Sequence, residues 1–322
     1  VFGDGFMKEM GKIVTVGFSP AWDAVCEVEG IGWGEHNKIS CRIDRPAGKA
    51  LNISRALCWM GTGSIAAGLW GNDDYERMLK VIKPMRKFIK VEFTKASGST
   101  RENINIVDLC NNRDMHLRSS SELATKTSLT QLSSDIEQMV KKDRVFVFSG
   151  SMPDEFFGQI RGIIDLCRQG GGKLVMDSSG ETMKNIVRQG GLWLRSGNVE
   201  ELRELMGWEV VDTVEGLIEA GQSLLERVEM VLISRGEKGA ILVTKDNCWK
   251  GCFAGDNREV FSTVGCGDYL LAGFLKGFKD SGRADLALES AIQASAGRAW
   301  RLDERQSWEY VKRDVKVVIE KV

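Results

Sequence analysis

Short runs of apolar, largely β-branched residues punctuate this chain, and segments whose apolar residues return at helical spacing lie among them. That alternation limits the fold more than any other feature. The runs fall at 12–18, 145–148, 173–176, 192–194, 230–233 and 241–243, and the first is stopped by Gly17, Ser19 and Pro20. They are nearly continuous rather than alternating, as expected of strands buried on both faces. Leu51, Ile53, Ala56, Leu57 and Met60 carry helical spacing up to Gly61, and Leu270, Leu271, Phe274, Leu275 and Phe278 carry it again later. This pattern predicts an α/β fold, a mostly parallel sheet with helices on both faces and chemistry just past its strand ends.

Two regions depart from it. Within 24–43 and 91–117 apolar and polar residues alternate, as in Ile39, Cys41 and Ile43 or in Ile104 and Ile106, which predicts half-exposed antiparallel strands. A small antiparallel sheet inserted from about 22–45 and 91–117 is therefore expected to cover a cleft in one domain spanning 12–322. Residues 1–11, with several glycines, are expected to be a tag or a frayed terminus.

Composition removes several function classes. The 322 residues suffice for a large core, and 44 basic against 45 acidic residues leave a formal charge of −1, without the field of a nucleic-acid binder. An anionic ligand must then be held by local groups. Eight cysteines without paired CxxC spacing, and two histidines, His36 and His116, argue against a zinc site or a disulfide scaffold and for a reducing, cytosolic compartment. No apolar run approaches the roughly 18 residues needed to span a bilayer, and no signal peptide is recognisable.

The chemistry concentrates in Ser262-Thr263-Val264-Gly265-Cys266-Gly267-Asp268, immediately before an apolar helix. Two glycines let successive amides turn into one concavity, and the helix start adds a positive dipole end, together an anion hole. A carboxylate beside such a hole repels phosphate unless it removes a hydroxyl proton as general base; Asp268 is equally suited to capping the helix. Neither a Walker A segment nor G-x-G-x-x-G after the first strand occurs. Asn198 and Glu201 have the spacing of a capping box, Ser234 to Ala240 that of a glycine-rich hairpin turn, and Asp23 and Arg101 alone read as a turn aspartate and a solubilising strand arginine.

Val264 to Asp268 resembles the G-A-G-D signature of the PfkB/ribokinase family of carbohydrate kinases, continuing through Ala272-Gly273-Phe274. Pro46 to Leu57 resembles the family's P-G-G-K-G-x-N-V-A-R-A-L segment, Ser149 to Pro153 its S-G-S-L-P, Asp177 to Gly180 its D-[ST]-S-G, and Asn198 to Glu201 its N-x-x-E, in the family's order over nearly the whole chain. The resemblance implies a ribokinase-like three-layer α/β/α sandwich with a β lid, ATP and Mg²⁺ as cofactors, and phosphorylation of a sugar hydroxyl. On it Asp268 is the general base and Gly265, Cys266 and Gly267 form the anion hole. Glu201 organises magnesium indirectly through water. Asn198, Ser234, Gly236, Gly239, Val264 and Gln293 lie on the nucleotide side, and Asp23, Gly48, Asn52 and Ser151 on the acceptor side.

Gly34 to Ile39 and Thr100 to Ile104 are similar to G-E-V-N-R-V and T-R-x-N-[IL] of the 1-phosphofructokinase and tagatose-6-phosphate kinase branch. This implies that Arg101, helped by Lys49 or Lys38, grips the phosphate of a hexose phosphate acceptor. The alternatives are a ribokinase-like kinase of a neutral sugar or nucleoside, and a ligand-binding relative without catalysis. Paired lids imply a homodimer. Ala50, Cys266, Tyr269 and Ser196-Gly197 depart from the family's usual glycine, alanine, serine and K-P.

Overall fold

The structure is a computed structural model and describes residues 13–111, 113–255 and 258–322, so the reading of 1–11, and Lys12, lie outside the described residues. All six apolar runs form strands: β1 (Ile13–Gly17), β8 (Val145–Ser149), β9 (Lys173–Asp177), β10 (Leu192–Asn198), β11 (Val228–Ser234) and β12 (Ala240–Thr244). They belong to one ten-stranded sheet that also contains β4 (Ser64–Gly71), β5 (Ile89–Ala96), β13 (Cys248–Phe253) and β14 (Val317–Lys321). From β5 through β4, β1, β8, β9 and β10 to β11 the strands are parallel, and β12, β13 and β14 complete one edge in antiparallel fashion.

Successive side chains of a strand point to opposite faces, and the core divides accordingly. Val14, Val16, Phe146 and Phe148 pack with α3 (Lys126–Met139), α4 (Phe157–Gln169), α5 (Glu181–Gln189), α6 (Val199–Met206) and α7 (Val214–Ser223). Ile13, Val145 and Val147 pack on the other face with α1 (Lys49–Trp59), α8 (Cys266–Ser281), α9 (Ala284–Ala299) and α11 (Trp308–Asp314). The predicted three layers are thus present. Gly68 in β4 has φ +120°, and a Cβ there would fall 2.0 Å from the Gly17 carbonyl, so only glycine lets β1 and β4 meet beneath the cleft.

The second sheet has the order β3-β2-β6-β7, from β2 (Ala21–Val28), β3 (Ile39–Ala47), β6 (Glu102–Asp108) and β7 (Arg113–Arg118). Its outer pairs are antiparallel and its central pair, β2 with β6, is parallel. One boundary needs correction: the second excursion occupies 102–118, because 89–96 runs parallel to β4 in the main sheet. β5 ends that sheet and exposes Lys90 and Lys95, so its alternation is that of a half-covered edge strand.

Candidate active site

The α8 helix starts where the glycine turn predicts. Gly265, at φ +83°, takes the left-handed conformation at the N-cap without a side-chain cap bond, so Asp268 lies in the first turn and does not cap the helix. First-turn amides of a helix have no intrahelical acceptor. A Cβ at Gly267 would meet nothing within 4 Å, so open space adjoins this turn. The Cys266 amide donates to the Thr263 carbonyl at 3.2 Å, and burial pushes its thiol up to about 11.

Asp268 is 5% exposed and accepts a 2.9 Å hydrogen bond from Asn52 Nδ2 on α1. Its pKa is pushed up to about 7, by burial first and by the Asp177 carboxylate second, against the opposing pull of Lys49 and the Asn52 bond; Asp23 adds a smaller repulsion. Asp268 therefore senses groups from both predicted sides of the site.

Lys49 reaches Asp177 at 3.5 Å and Glu201 at 3.4 Å, and Asp177 foremost, then Glu201 and Asp268, hold its ammonium charged despite burial. Lys49, expected on the acceptor phosphate, is instead directed at Asp177 and Glu201 beside the β9 and β10 ends. Ser149 Oγ donates to Asp177 Oδ2 at 3.0 Å. The capping box is formed: Asn198 Oδ1 accepts from the Glu201 amide at 2.8 Å, and Glu201 Oε2 accepts from the Asn198 amide at 3.1 Å. This leaves Glu201 Oε1 facing Lys49. Lys49, Asp177, Asn198 and Glu201, together with Ser196, Gly197, Ser234, Gly267 and Leu270, line a cleft of about 290 Å³. Among the described residues no three His, Cys, Asp or Glu side chains converge on one metal position.

Arg195, set beside Ser196-Gly197, is 2% exposed. It donates to the Ser178 carbonyl at 3.1 Å and stands 4.0 Å from Glu201, and burial lowers its pKa. A Cβ on Gly197 would come within 2.7 Å of both Arg195 Nη1 and Glu201 Oε2, so the Ser-Gly departure makes room for the buried guanidinium. The Ala50 departure is accommodated similarly, its Cβ lying 3.1 Å from where a Gly17 Cβ would stand. Gly48, at φ +111°, brings the start of α1 against Pro20.

On the acceptor side, Asn103 Nδ2 donates to Asp23 Oδ1 at 2.8 Å. Arg101 faces the same corner and forms no ion pair with a carboxylate among the described residues. Its guanidinium donates to the carbonyls of Pro20 (3.2 Å), Ser19 (3.4 Å) and Ser119 (2.8 Å) and to Asn103 Oδ1 (3.4 Å), joining the segments where the chain enters and leaves the lid. Lys38 and Ser151 are exposed.

Four nucleotide-side predictions are not gathered into the cleft. Gln293 is buried and donates to the carbonyls of Lys312 (3.2 Å) and Val315 (3.1 Å), which ties α9 to the end of α11. A Gly239 Cβ would meet the Gly251 carbonyl at 2.0 Å, so that glycine serves the packing of the β11–β12 turn on β13, and Gly236 faces open space in the same turn. Val264 is 44% exposed. Conversely, the Asp177 carboxylate, which lines the cleft beside Lys49, has no signal in the sequence beyond its place in the D-[ST]-S-G segment.

The model of the pfkB family carbohydrate kinases matches residues 10–298. A 1-phosphofructokinase of Haemophilus influenzae is 28% identical over 302 residues, covering 89% of this chain and 91% of that protein. A tagatose-6-phosphate kinase of Staphylococcus epidermidis is 26% identical over 277 residues, covering 82% and 84%. The structure of phosphofructokinase-2 from Escherichia coli in complex with fructose-6-phosphate superposes with a TM-score of 0.84 at 19% identity, covering 94% of this chain and 99% of that one. With its three layers, its lid and its glycine turn leading into α8, the chain belongs to the pfkB family of carbohydrate kinases.

Proposed function

We propose that this carbohydrate kinase transfers the γ-phosphoryl group of ATP to a hydroxyl of a hexose phosphate, with Asp268 as general base. The observation that carries the reading is the state of Asp268. A carboxyl with a pKa of about 7 is partly ionised at neutral pH, the condition in which it takes a proton most effectively. Asn52 holds one of its oxygens, which orients the other for an incoming hydroxyl. With the Cys266 amide engaged by the Thr263 carbonyl, the Gly267 and Asp268 amides of the first turn of α8 supply donors for the charge that gathers on the transferring group. Lys49 stays charged between Asp177 and Glu201 and offsets the negative charge that nucleotide phosphates bring into the cleft.

The carboxylates of Asp177 and Glu201 suit a magnesium ion that keeps its waters and takes its direct ligands from phosphates. Such an ion supplies charge neutralisation to the nucleotide when bound. Hexose phosphate as acceptor is supported by the relatives named above and by Arg101, whose planar donors match a phosphate once they exchange carbonyl oxygens for it.

A neutral sugar or nucleoside acceptor is the second reading. What favours it is that every charged group expected on the acceptor phosphate is otherwise placed: Arg101 on hinge carbonyls, Lys49 on Asp177 and Glu201, and Lys38 in an exposed loop. An ADP-release screen with fructose 1-phosphate, fructose 6-phosphate, tagatose 6-phosphate, ribose and nucleosides separates them. Turnover with a hexose phosphate is expected. Exclusive use of a neutral acceptor selects the second reading, and ATP binding without product from any acceptor contradicts catalysis.

A further inference from the structure

Outside the cleft, the most connected group of charged side chains surrounds the end of α9. Arg298 Nε donates to the Val264 carbonyl at 3.2 Å, just before the Gly265 turn. The same guanidinium reaches Asp303 Oδ2 at 3.2 Å, and that oxygen also accepts from the Tyr269 hydroxyl at 2.8 Å. Tyr269 directly follows Asp268. One carboxylate oxygen therefore ties together both ends of the turn that carries the anion hole and the base. The link exists because this chain has tyrosine where the family's usual residue is serine.

The cluster continues outward to the lid. Arg298 Nη1 stands 3.5 Å from Glu304 Oε1, and that oxygen accepts from Arg45 Nη1 at 3.3 Å. Arg45 lies on β3, opposite Asp23 of β2. Burial grades along the path, from 41% exposure for the Arg45 side chain and 34% for Glu304 to 21% for Arg298 and 6% for Asp303. An exposed pair such as Arg45 with Glu304 contributes little to stability, so its effect is on where the lid rests. At the inner end Asp303 Oδ1 is buried without a hydrogen-bond partner among the described residues, which disfavours a purely stabilising role. The segment leading into the turn is fastened to the same helix end, with the Phe261 amide on the Ala299 carbonyl at 2.8 Å and the Arg301 guanidinium 3.5 Å from the Phe261 ring.

We propose that Arg298, acting with Asp303 and Glu304, is a positioning residue that couples the lid to the anion hole: with Arg45 seated on Glu304, Val264 and Tyr269 hold the glycine turn and Asp268 in place. A lid that lifts removes Arg45 and loosens the turn, so the base is aligned only under a covered cleft, where water is excluded. The inference rests on the kinase reading of Asp268, and its test is chosen to fail separately.

The full-length protein and its Arg45→Gln, Arg298→Met, Arg298→Lys and Arg45→Gln/Arg298→Met variants are compared in two measurements. In hydrogen exchange, which needs no substrate, Arg298→Met is expected to speed exchange of the amides of 264–269 by about tenfold and Arg45→Gln by about threefold, although Arg45 touches none of them. In turnover with Mg·ATP and the fastest hexose phosphate, Arg298→Met is expected to lower kcat by about 10²-fold with the KM for ATP little changed, as a displaced catalytic turn should. Arg298→Lys recovers part of the loss, and the double variant is no slower than Arg298→Met because both changes act along one path. Unchanged exchange in Arg45→Gln, or kcat losses that multiply in the double variant, overturns the coupling. Asp268→Asn, measured alongside, isolates the parent reading: wild-type turnover there refutes the base, whereas an inactive Asp268→Asn beside a fully active Arg298→Met refutes only the positioning role.

Discussion

At the scale of single residues, the account turns on one carboxyl group whose proton affinity is set by its neighbours. Burial and Asp177 raise the Asp268 pKa to about 7, while Lys49 and Asn52 pull it down. The acidic limb of kcat/KM is therefore expected to rise through about pH 7, as the general base loses its proton. Lys49→Met removes the cation that favours the ionised form, so it should move that limb to higher pH by about one unit and lower the activity at pH 7. An unmoved limb in initial rates from pH 5 to 9 would show that Lys49 does not act on the base. Asp268 and Asn52 were each legible as members of a local motif, but their hydrogen bond spans 216 residues and comes from the packing of α1 on α8. The place of Asp177 in the site was not legible, because its partner Lys49 is 128 residues away in sequence and only the packing of α1 on the sheet brings them together. Gln293 failed for the matching reason: its acceptors near the end of α11 are supplied by tertiary packing, which a helix pattern does not reveal.

Among elements, the strands and helices that build the site follow from their apolar spacing, whereas the edges of the main sheet do not. Strands β8 to β12 are buried runs bounded by turn residues and were readable as such. β4, Ser-Ile-Ala-Ala-Gly-Leu-Trp-Gly, is buried along its whole length but dilutes its β-branched content with small residues, of which Gly68 is demanded by the Gly17 contact. β5 alternates and so looked like a lid strand. Arg101 stands at the junction of the two sheets. Its guanidinium gathers carbonyls from 19–20 and 119, and Thr100 beside it donates from Oγ1 to Asp74 at 3.0 Å while Trp22 Nε1 bonds the other oxygen of that carboxylate at 2.7 Å. If these donors turn to an acceptor phosphate, Arg101→Ala should cut kcat/KM for a hexose phosphate by about 10²-fold or more and leave a neutral acceptor nearly unaffected. Equal losses for both acceptors in steady-state kinetics would assign Arg101 to the hinge alone.

For the whole molecule, the three-layer body was predictable from the strand and helix alternation, and the lid from the two regions that break it. What the sequence left open is how the parts move and assemble. The lid carries Ile39, Ile43 and Leu117 at 48%, 43% and 46% exposure, more apolar surface than a solvated cover needs. A homodimer through paired lids is proposed on that ground; sedimentation equilibrium should give twice the chain mass for the parent protein and the chain mass for Ile43→Asp, and a monomeric parent protein would contradict it. No helix among the described residues is long and apolar enough to cross a membrane.

The central claim joins these scales, since body, lid and glycine turn matter to catalysis only if Asp268 takes the hydroxyl proton. Because the folded pKa of Asp268 lies above its ordinary 3.8, ionising it costs stability as pH rises from that value towards 7. Asp268→Asn should therefore fold with a higher Tm than the parent protein at pH 8. The most direct test is single-turnover phosphoryl transfer by this variant, with ATP binding measured in the same preparation. The account predicts retained ATP binding and a transfer rate lowered by about 10²–10⁴-fold; a well-folded Asp268→Asn that transfers phosphate at the parent rate would contradict it.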